Sequence, residues 1–409
     1  MPNLILPEVL APAGDMERLR AAVLFGADAV YLGGKEFGMR ASPLNFSYDE
    51  LKAAVEHAHA HGVRVYLTCN TVPTNDEADR LEEHLKTAAQ CGIDALIVAD
   101  MGVFMAALRV VSGLEIHMST QVGIVNYLTA NELYQMGAKR VVLARELSFD
   151  DIKRIRDKTP PELELECFVH GAMCMSFSGR CLLSHYMVGR DANRGECAQP
   201  CRWGYHLVEE KRPNEFYPVY EDETGSYILN AKDLSMISDI DKLVAAGINS
   251  LKIEGRAKSS YYVAVVTNAY RCAVDEYMKA PEAFTLPTWI LDETLKVSHR
   301  EYSTGFFYGR PENGQCYQNG GYVRSYDVVA TVDEWRNGVL YVTQRNRFFK
   351  GDLLEVLVPK GGFTPFVAEE IFTIEGNPIE NACHSMQPLK IPTMQKFPSG
   401  SIIRKQKEG

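Results

Sequence analysis

The sequence lacks the signatures of several common protein classes. It contains no run of about 18 consecutive apolar residues, so we expect no membrane-spanning helix. Its opening, MPNLILPEVLAPAGD, has no basic region followed by a long apolar segment, and we expect no secretory signal. Neither a G-x-G-x-x-G loop nor a P-loop occurs, so a nucleotide cofactor has no sequence support. H-E-x-x-H and G-x-S-x-G are also missing, which removes motif support for a metalloprotease or a serine hydrolase.

Composition narrows the class further. The chain has 409 residues, of which 46% are hydrophobic, and this length predicts a globular protein of two domains. A formal net charge of −10 argues against general affinity for nucleic acids, so any RNA binding would depend on a local basic patch. Without a secretory signal, the ten cysteines are expected to be reduced thiols of a cytoplasmic protein.

Short apolar runs alternate with amphipathic segments from the N-terminus to about residue 260. The eight runs are 8–11, 29–33, 64–69, 95–99, 115–119, 140–144, 164–169 and 250–253. Several follow a helical segment and a glycine, as in GADAVYL and GVRVYL, which indicates a repeated helix-to-strand junction. The pattern predicts an α/β fold, a TIM-like (β/α)8 barrel over 1–280 with a cysteine-rich insertion at 172–230 after the seventh strand. A doubly wound open sheet is the alternative.

The pattern changes after the predicted barrel. Residues 281–319 are irregular and predict a helical linker. Beyond about residue 320, YDVVATVDEW and VLYVTQ flank an Asn-Gly turn, which is the signature of a β-hairpin. Residues 320–409 are therefore predicted to form a small all-β domain, a small β-barrel or sandwich.

Four cysteines lie close together in the predicted insertion. Cys174, Cys181, Cys197 and Cys201 fall within 28 residues, with six, fifteen and three residues between successive members. Four converging thiolates are the ligand set of a zinc ion or of an iron–sulfur cluster. Neither the C-x2-C knuckles of zinc ribbons nor a C-x3-C-x2-C triplet occurs. Thiolate-only ligands at irregular spacing favour a [4Fe-4S] cluster, with structural zinc as the alternative.

The active face of such a barrel lies at the carboxyl ends of its strands. Polar residues at or near those ends are the candidate catalytic residues: Asn70, His117, Arg145, Glu166, His170, Lys252 and Glu254. Charged and amide groups around a pocket mouth suit a small anionic substrate. Salt bridges at the barrel rim would explain any one of these side chains alone.

Two basic stretches of the C-terminal domain are candidates for RNA binding. RNRFFK, at 345–350, mixes three basic residues with two phenylalanines, as proteins that bind single strands do. A second basic stretch runs from 390 to 407. The candidate RNA-binding residues are Arg345, Arg347, Phe348, Lys350, Arg404 and Lys405. A solvated surface would explain either stretch equally well.

Several segments resemble one known family. ECFVHGAMCMSFSGRCLLS, at 166–184, is similar to the signature of the collagenase-like peptidase family U-32. LAPAGD at 10–15, GADAVYLGG at 26–34 and LKIEGR at 251–256 are similar to other blocks of that family. The resemblance covers essentially the whole chain, including the C-terminal β domain.

The resemblance implies a [4Fe-4S] cluster, whose ligands by motif position are Cys174, Cys181, Cys197 and Cys201. Members of the family are named peptidases or collagenases, yet several act in nucleic-acid or quinone hydroxylation. The full-length form with a β domain looks most like the tRNA hydroxylation branch, which makes 5-hydroxyuridine at the wobble position without molecular oxygen. For that branch the partner is tRNA, prephenate is the anionic co-substrate, and a paralogous family member is a further candidate partner. Relatives that hydroxylate ribosomal RNA or a ubiquinone precursor share the cysteine motif.

Three functional hypotheses follow. The first is a cytoplasmic, prephenate-dependent tRNA uridine hydroxylase that carries an iron–sulfur cluster. The second is a peptidase, which needs a nucleophile or an activated water; the candidates near the cysteines are His170, Ser176 and Ser184. The third is a sensor or assembly protein that uses the cluster structurally. A redox-capable thiolate site is unusual for a protease, and we therefore prefer the hydroxylase.

Overall fold

The computed structural model describes most of the chain. The described residues are 6–38, 45–174, 181, 183–190, 192, 196–203, 206–208, 216–218, 231–309 and 322–407. Much of the predicted insertion at 172–230 and part of the predicted linker lie outside these residues. So does Ser176, one of the nucleophiles considered for a peptidase.

Eight parallel strands form a closed barrel. They are β1 (Glu8–Ala13), β2 (Ala29–Gly33), β3 (Arg64–Cys69), β4 (Ala95–Val98), β5 (Glu115–Met118), β6 (Arg140–Val142), β7 (Glu164–Ala172) and β8 (Ser250–Ile253). β8 pairs in parallel with both β7 and β1, which closes the ring. The predicted (β/α)8 barrel is confirmed, and closure excludes the doubly wound open sheet.

Helices surround the barrel and connect its strands. They are α1 (Met16–Leu24), α2 (Tyr48–His59), α3 (Asn75–Ala78), α4 (Leu81–Gln90), α5 (Met101–Val110), α6 (Tyr127–Gln135), α7 (Phe149–Asp157), α8 (Leu183–Val188), α9 (Ile240–Ala245), α10 (Ser260–Lys279) and α11 (Thr288–Thr294). Helix α2 begins with a capping box in which Ser47 and Glu50 each bond the other's backbone amide. In the part of the chain that the structure describes, none of these helices is both long and apolar enough to cross a membrane.

The end of β7 is paired with a short strand just before the clustered cysteines begin. A short strand, Asp233–Ser235, pairs antiparallel with the last residues of β7 and parallel with Tyr302–Ser303. A buried ion pair, in which Arg300 Nη2 lies 2.6 Å from Asp233 Oδ1, fixes this strand. Beyond β7, the described part of the insertion includes α8 and a hairpin of His206–Val208 with Phe216–Pro218. The first cysteine of the group therefore emerges from an anchored strand.

The C-terminal domain is all-β, as predicted. Its eight-stranded antiparallel sheet comprises Tyr326–Arg336, Val339–Gln344, Leu353–Leu357, Phe363–Val367, Ile371–Thr373, Pro378–Ile379, Pro388–Pro392 and Ile402–Gln406. Asn337 and Gly338 have φ angles of 51° and 80°, so the predicted hairpin has the left-handed turn that Asn-Gly favours. In the described residues, no pairing joins edge strands Phe363–Val367 and Pro378–Ile379, so the sheet is open rather than a closed barrel.

Arg404 joins the two domains. Its guanidinium is fully buried, with Nη1 2.7 Å from Glu293 of α11 and Nε 2.9 Å from Glu355 of the β domain. Burial opposes the charge, but the two carboxylates raise the pKa of Arg404 above its ordinary value. The prediction that Arg404 binds RNA is therefore wrong, because its donors are committed to this interface.

Phe348 also differs from its predicted role. It is fully buried in the core of the β domain, whereas Phe349 is exposed. Side chains alternate along a strand, so only one of two adjacent phenylalanines can face outward. Phe348 therefore does not contact RNA, and the exposed aromatic group of RNRFFK is Phe349.

Candidate functional site

A cavity of about 1590 Å³ opens at the carboxyl ends of the barrel strands. Barrel residues line its floor, and the β domain contributes residues such as Asp333, Arg345 and Asn346 to the opposite wall. Its volume exceeds the roughly 300–1,000 Å³ that is usual for a small-molecule site. The cavity thus has the position of a TIM-barrel active site and room for more than one small ligand.

Lys252 of β8 lies at the floor of this cavity. Its Nζ is 2.6 Å from Glu166 Oε1, and it faces the rings of Tyr31 and Phe168 at 4.7 and 5.3 Å from their centres. Lys252 is buried but lines the cavity, whereas Glu166 is fully buried behind it. An ammonium group is therefore presented to whatever occupies the floor.

A charged layer inside the barrel supports Lys252. Glu166 also accepts a hydrogen bond of 3.0 Å from Arg140, which in turn bonds Glu8 and Glu164. Burial opposes the ionisation of Glu166, but Lys252 and Arg140 together lower its pKa to about 2. The carboxylate thus stays ionised at neutral pH and pairs with the lysine.

The cavity wall carries guanidinium and amide groups. Arg145 stacks on Phe168, with its Cζ 3.8 Å from the ring centre, and donates to Ala172 O at 2.9 Å. Its Nη2 lies 3.8 Å from Glu254 Oε2. Asn70 Nδ2 donates to Gln121 Oε1 at 3.1 Å. Of the candidate catalytic residues, Asn70, Arg145, Lys252 and Glu254 line the cavity.

His117 and Glu166 do not reach the cavity surface. Both are fully buried in the barrel interior, where the His117 ring meets Tyr66 edge-on at 4.8 Å. Burial lowers the pKa of His117, although Glu115 opposes this shift. Ser119, two residues further along the chain, lines the cavity instead. His117 and Glu166 therefore lie too deep in the barrel to touch substrate, which corrects the direct role predicted for them.

His170 is not at the barrel mouth either. It is buried among Tyr262, Tyr270 and Tyr302, and its Nε2 lies 3.1 Å from the Tyr302 hydroxyl. Burial lowers the pKa of His170 to about 3, so the imidazole is neutral near pH 7. The predicted catalytic role of His170 is corrected to a packing role, because tyrosines separate it from the cavity.

The depressed pKa of His170 predicts acid sensitivity. Below about pH 6.5 the unfolded chain binds a proton at His170 that the native state excludes, so stability falls as the pH drops from 6.5 toward 3. Between pH 7.5 and 5 this group should cost about 2 kcal/mol in the free energy of unfolding. His170→Phe should reduce the slope of the free energy of unfolding against pH by the equivalent of one proton over this range. Urea unfolding at a series of pH values measures the slope. A pH dependence of stability that His170→Phe leaves unchanged would contradict the assignment.

All four clustered cysteines line the same cavity. Cys174 and Cys197 are exposed, Cys181 and Cys201 are half-buried, and none of the four is in a disulfide with another described cysteine. Backbone amides point at two of the sulfurs: Leu183 N lies 3.4 Å from Cys181 Sγ, and Gln199 N lies 3.3 Å from Cys197 Sγ. Such donors stabilise thiolates and tune clusters bound to them.

The donor set fits a thiolate-bound metal centre. Among the described residues, no three His, Cys, Asp or Glu side chains are grouped closely enough to hold a metal ion. Binding would therefore require the four sulfurs to draw together from their places around the cavity. The chain segments that carry Cys181 and Cys197 already meet, because Ala198 N donates to the buried Ser184 Oγ at 3.0 Å.

Several cavity residues were not predicted as functional. They include Tyr31, Thr68, Phe168 and Tyr262. Phe168 is two residues after Glu166 on β7, so alternation places it on the same inner face one layer nearer the mouth. Arg256 Nη1 donates to Thr68 Oγ1 at 3.1 Å, which adds a third guanidinium or ammonium group to the floor and wall. Alternation within each strand is the signal that could have identified Phe168.

Comparisons with known proteins assign the chain to a family. A model described as peptidase family U32 matches residues 14–316, and one for the U32 C-terminal domain matches residues 324–404. The chain is 38% identical over 404 residues to tRNA hydroxylation protein P1 of Bacillus subtilis, covering 98% of this chain and 95% of that protein. It is 35% identical over 427 residues to tRNA hydroxylation protein P of Escherichia coli, covering 94% and 91%.

A third relative has a different name. The collagenase of Porphyromonas gingivalis is 33% identical over 414 residues and is covered, like this chain, to 97%. The family thus includes relatives named for RNA hydroxylation and for proteolysis at similar overall identity. With one U32 model on its barrel and another on its β domain, this chain belongs to peptidase family U32.

Proposed function

We propose that this protein is an RNA-modifying hydroxylase, and that it forms 5-hydroxyuridine at the wobble position of tRNA. The observation that carries the proposal is one cavity whose lining includes the four clustered cysteines together with Lys252, Arg145 and Arg256. Redox-capable ligands beside fixed cations suit oxidation of a bound anionic molecule better than hydrolysis of a peptide. The names of the Bacillus subtilis and Escherichia coli relatives support tRNA as the substrate.

In this proposal Cys174, Cys181, Cys197 and Cys201 would hold a [4Fe-4S] cluster, with structural zinc as the alternative. A bound cluster would supply one-electron redox chemistry beside the substrate. The polypeptide supplies the rest: Lys252 holds a proton at Nζ on the cavity floor, where it can be given or taken.

The wall positions a small anionic co-substrate, for which we propose prephenate. The guanidinium groups of Arg145 and Arg256 present planar donors that match carboxylates. Tyr31 and Phe168 form apolar surface next to Lys252, which excludes water from the cavity floor. A cavity of about 1590 Å³ accommodates a nucleotide together with such a co-substrate.

The rim of the cavity suits an RNA strand. Arg20, Lys258, Arg324 and Arg345 line it from both domains. In the described part of the chain, Arg20 and Arg324 have no acidic partner, so their charges are available to phosphates. tRNA is the proposed partner, a paralogous family member is a second one, and the cytoplasm is the proposed location.

The peptidase alternative has weaker geometric support. Ser184 is buried and its Oγ accepts the Ala198 amide, while His170 is buried and neutral away from the cavity. Among the described residues that line the cavity there is therefore no serine paired with a histidine base. The name of the Porphyromonas gingivalis relative is the observation that favours the peptidase alternative.

Nucleoside analysis tests the proposal. Deleting the gene should remove 5-hydroxyuridine derivatives from total tRNA, measured by mass spectrometry, and the wild-type gene should restore them. Purified protein should not degrade gelatin. Unchanged tRNA nucleosides in the deletion strain, together with gelatin cleavage by pure protein, would reverse the choice between the two functions.

A further inference from the structure

The segment RNRFFK leads from the cavity to the outer surface of the β domain. Arg345 and Asn346 line the cavity, and Phe348–Phe349 form a short strand paired with Asn381–Ala382. This strand buries Phe348 and leaves Phe349 40% exposed. The chain therefore carries an exposed aromatic ring within four residues of the cavity edge.

Cationic groups flank the exposed ring. Arg347 Cζ lies 4.7 Å from the centre of the Phe349 ring, and Lys405 Nζ lies 5.9 Å from it. Lys405 is paired with Asp352, and Lys350 with an exposed glutamate. Arg347 is exposed and, among the described residues, has no acidic partner, so its charge is not neutralised locally. An aromatic face beside an unneutralised guanidinium is the combination that binds single-stranded nucleic acid.

The surface around Phe349 lies close to the cavity. Phe349 follows Arg345 by four positions, and an extended chain spans at most about 3.6 Å per residue, so their Cα atoms lie within about 14 Å of each other. Arg345 itself lies 3.7 Å from Glu17 of α1, which fixes the segment against the barrel. An RNA strand whose target nucleotide enters the cavity would pass over this surface where the strand leaves the cavity.

We propose that Phe349 and Arg347 form a stacking site for a base next to the target nucleotide of a single-stranded RNA loop. The proposal rests on the proposed function, since it takes RNA as the substrate. Lys350 and Lys405 are paired with acidic side chains, so Arg347 supplies the positive charge of the site that is not neutralised locally. Because every base has a π face, this site provides affinity and position without reading base identity.

The test compares two arginine–aromatic pairs of the same domain. Phe349→Ala and Arg347→Ala remove the proposed site, and Phe349→Tyr keeps the ring. Arg336→Ala is the control: Arg336 is also exposed and lies 5.1 Å from the Tyr341 ring, but it does not line the cavity, and it lies 3.7 Å from Glu334, which offsets its charge. Binding is measured by fluorescence anisotropy with a labelled RNA stem-loop that carries a loop uridine, at two or more salt concentrations.

The expected results differ among the variants. Phe349→Ala should weaken binding about 5- to 150-fold, and Phe349→Tyr should restore it. Arg347→Ala should reduce the slope of log K against log salt by about 0.7 for a lost phosphate contact. Arg336→Ala should bind as wild type does. In modification assays Phe349→Ala should raise KM and leave kcat unchanged.

The outcomes separate this site from the proposed function. Unchanged RNA binding by Phe349→Ala, with modification intact in the wild type, would overturn the stacking site and leave the function standing. If the wild type bound RNA and lost that binding in Phe349→Ala, but modified no RNA, the stacking site would stand and the proposed function would be overturned. Equal competition by polyglutamate would overturn the site as well, because it would show attraction to any polyanion.

Discussion

Replacing Cys174 with alanine is expected to abolish both metal binding and tRNA modification while leaving the protein folded. Cys174 follows the anchored end of β7 by two residues, so among the four cysteines it is the one that the barrel itself positions. Loss of one of four thiolates removes a ligand, which should lower metal affinity and modification by at least about 100-fold. The exposed thiol packs against little, so its removal should change the free energy of unfolding by less than about 1 kcal/mol.

The measurement is made on protein purified without oxygen. Wild type should contain about four irons per chain and absorb in the visible range, whereas Cys174→Ala should contain almost none. Cys383→Ala is the matched control, because Cys383 is equally a free, exposed thiol but lies in the β domain. Full modification by Cys174→Ala, or by wild type loaded only with zinc, would refute the cluster.

The second large effect is expected at the Lys252–Glu166 pair. Glu166→Gln leaves a buried ammonium group without its carboxylate, which should cost about 3 kcal/mol in the free energy of unfolding. Lys252→Met should cost only roughly 1 kcal/mol, because Glu166 keeps Arg140 at 3.0 Å. Both variants should lose modification about 10²- to 10⁴-fold, the range for a positioned acid or base.

The double variant separates structure from chemistry. Glu166→Gln combined with Lys252→Met leaves no unpaired lysine, so it should be more stable than Glu166→Gln alone while remaining inactive. Urea unfolding and single-turnover nucleoside analysis give the two readouts. If Lys252→Met modified tRNA at the wild-type rate, Lys252 would be a structural ion-pair partner and nothing more.

The sequence predicted the barrel well because its signals are local. Apolar runs and glycine-terminated helices recur in the chain itself, and the predicted strand starts at 29, 64 and 250 coincide with β2, β3 and β8. The capping box of Ser47 and Glu50 is a local signal of the same kind, since its two residues are three apart in the chain. The open sheet of the β domain could not be predicted from local signals, because it depends on which distant edge strands pair.

The site was predicted less completely, for a physical reason. Position along a strand sets the depth of a side chain in the barrel, and depth decides whether it meets the cavity or the interior. Glu166 and Lys252 were both identified, yet only Lys252 lines the cavity. Arg404 looked like a surface arginine because its two carboxylate partners, Glu293 and Glu355, are 111 and 49 residues away in sequence.

The burial of Arg404 between the two domains has a consequence for when the site is completed during translation. Arg404 lies in strand Ile402–Gln406 of the β domain and is translated after the whole barrel and all four clustered cysteines. Chains grow at about 5–20 residues per second, so a nascent barrel waits roughly 5 to 20 seconds between residue 309 and Arg404. During that interval the β domain cannot yet close over the cavity. The proposed cofactor would then reach the cysteines through an open barrel face, before the β domain covers the cavity.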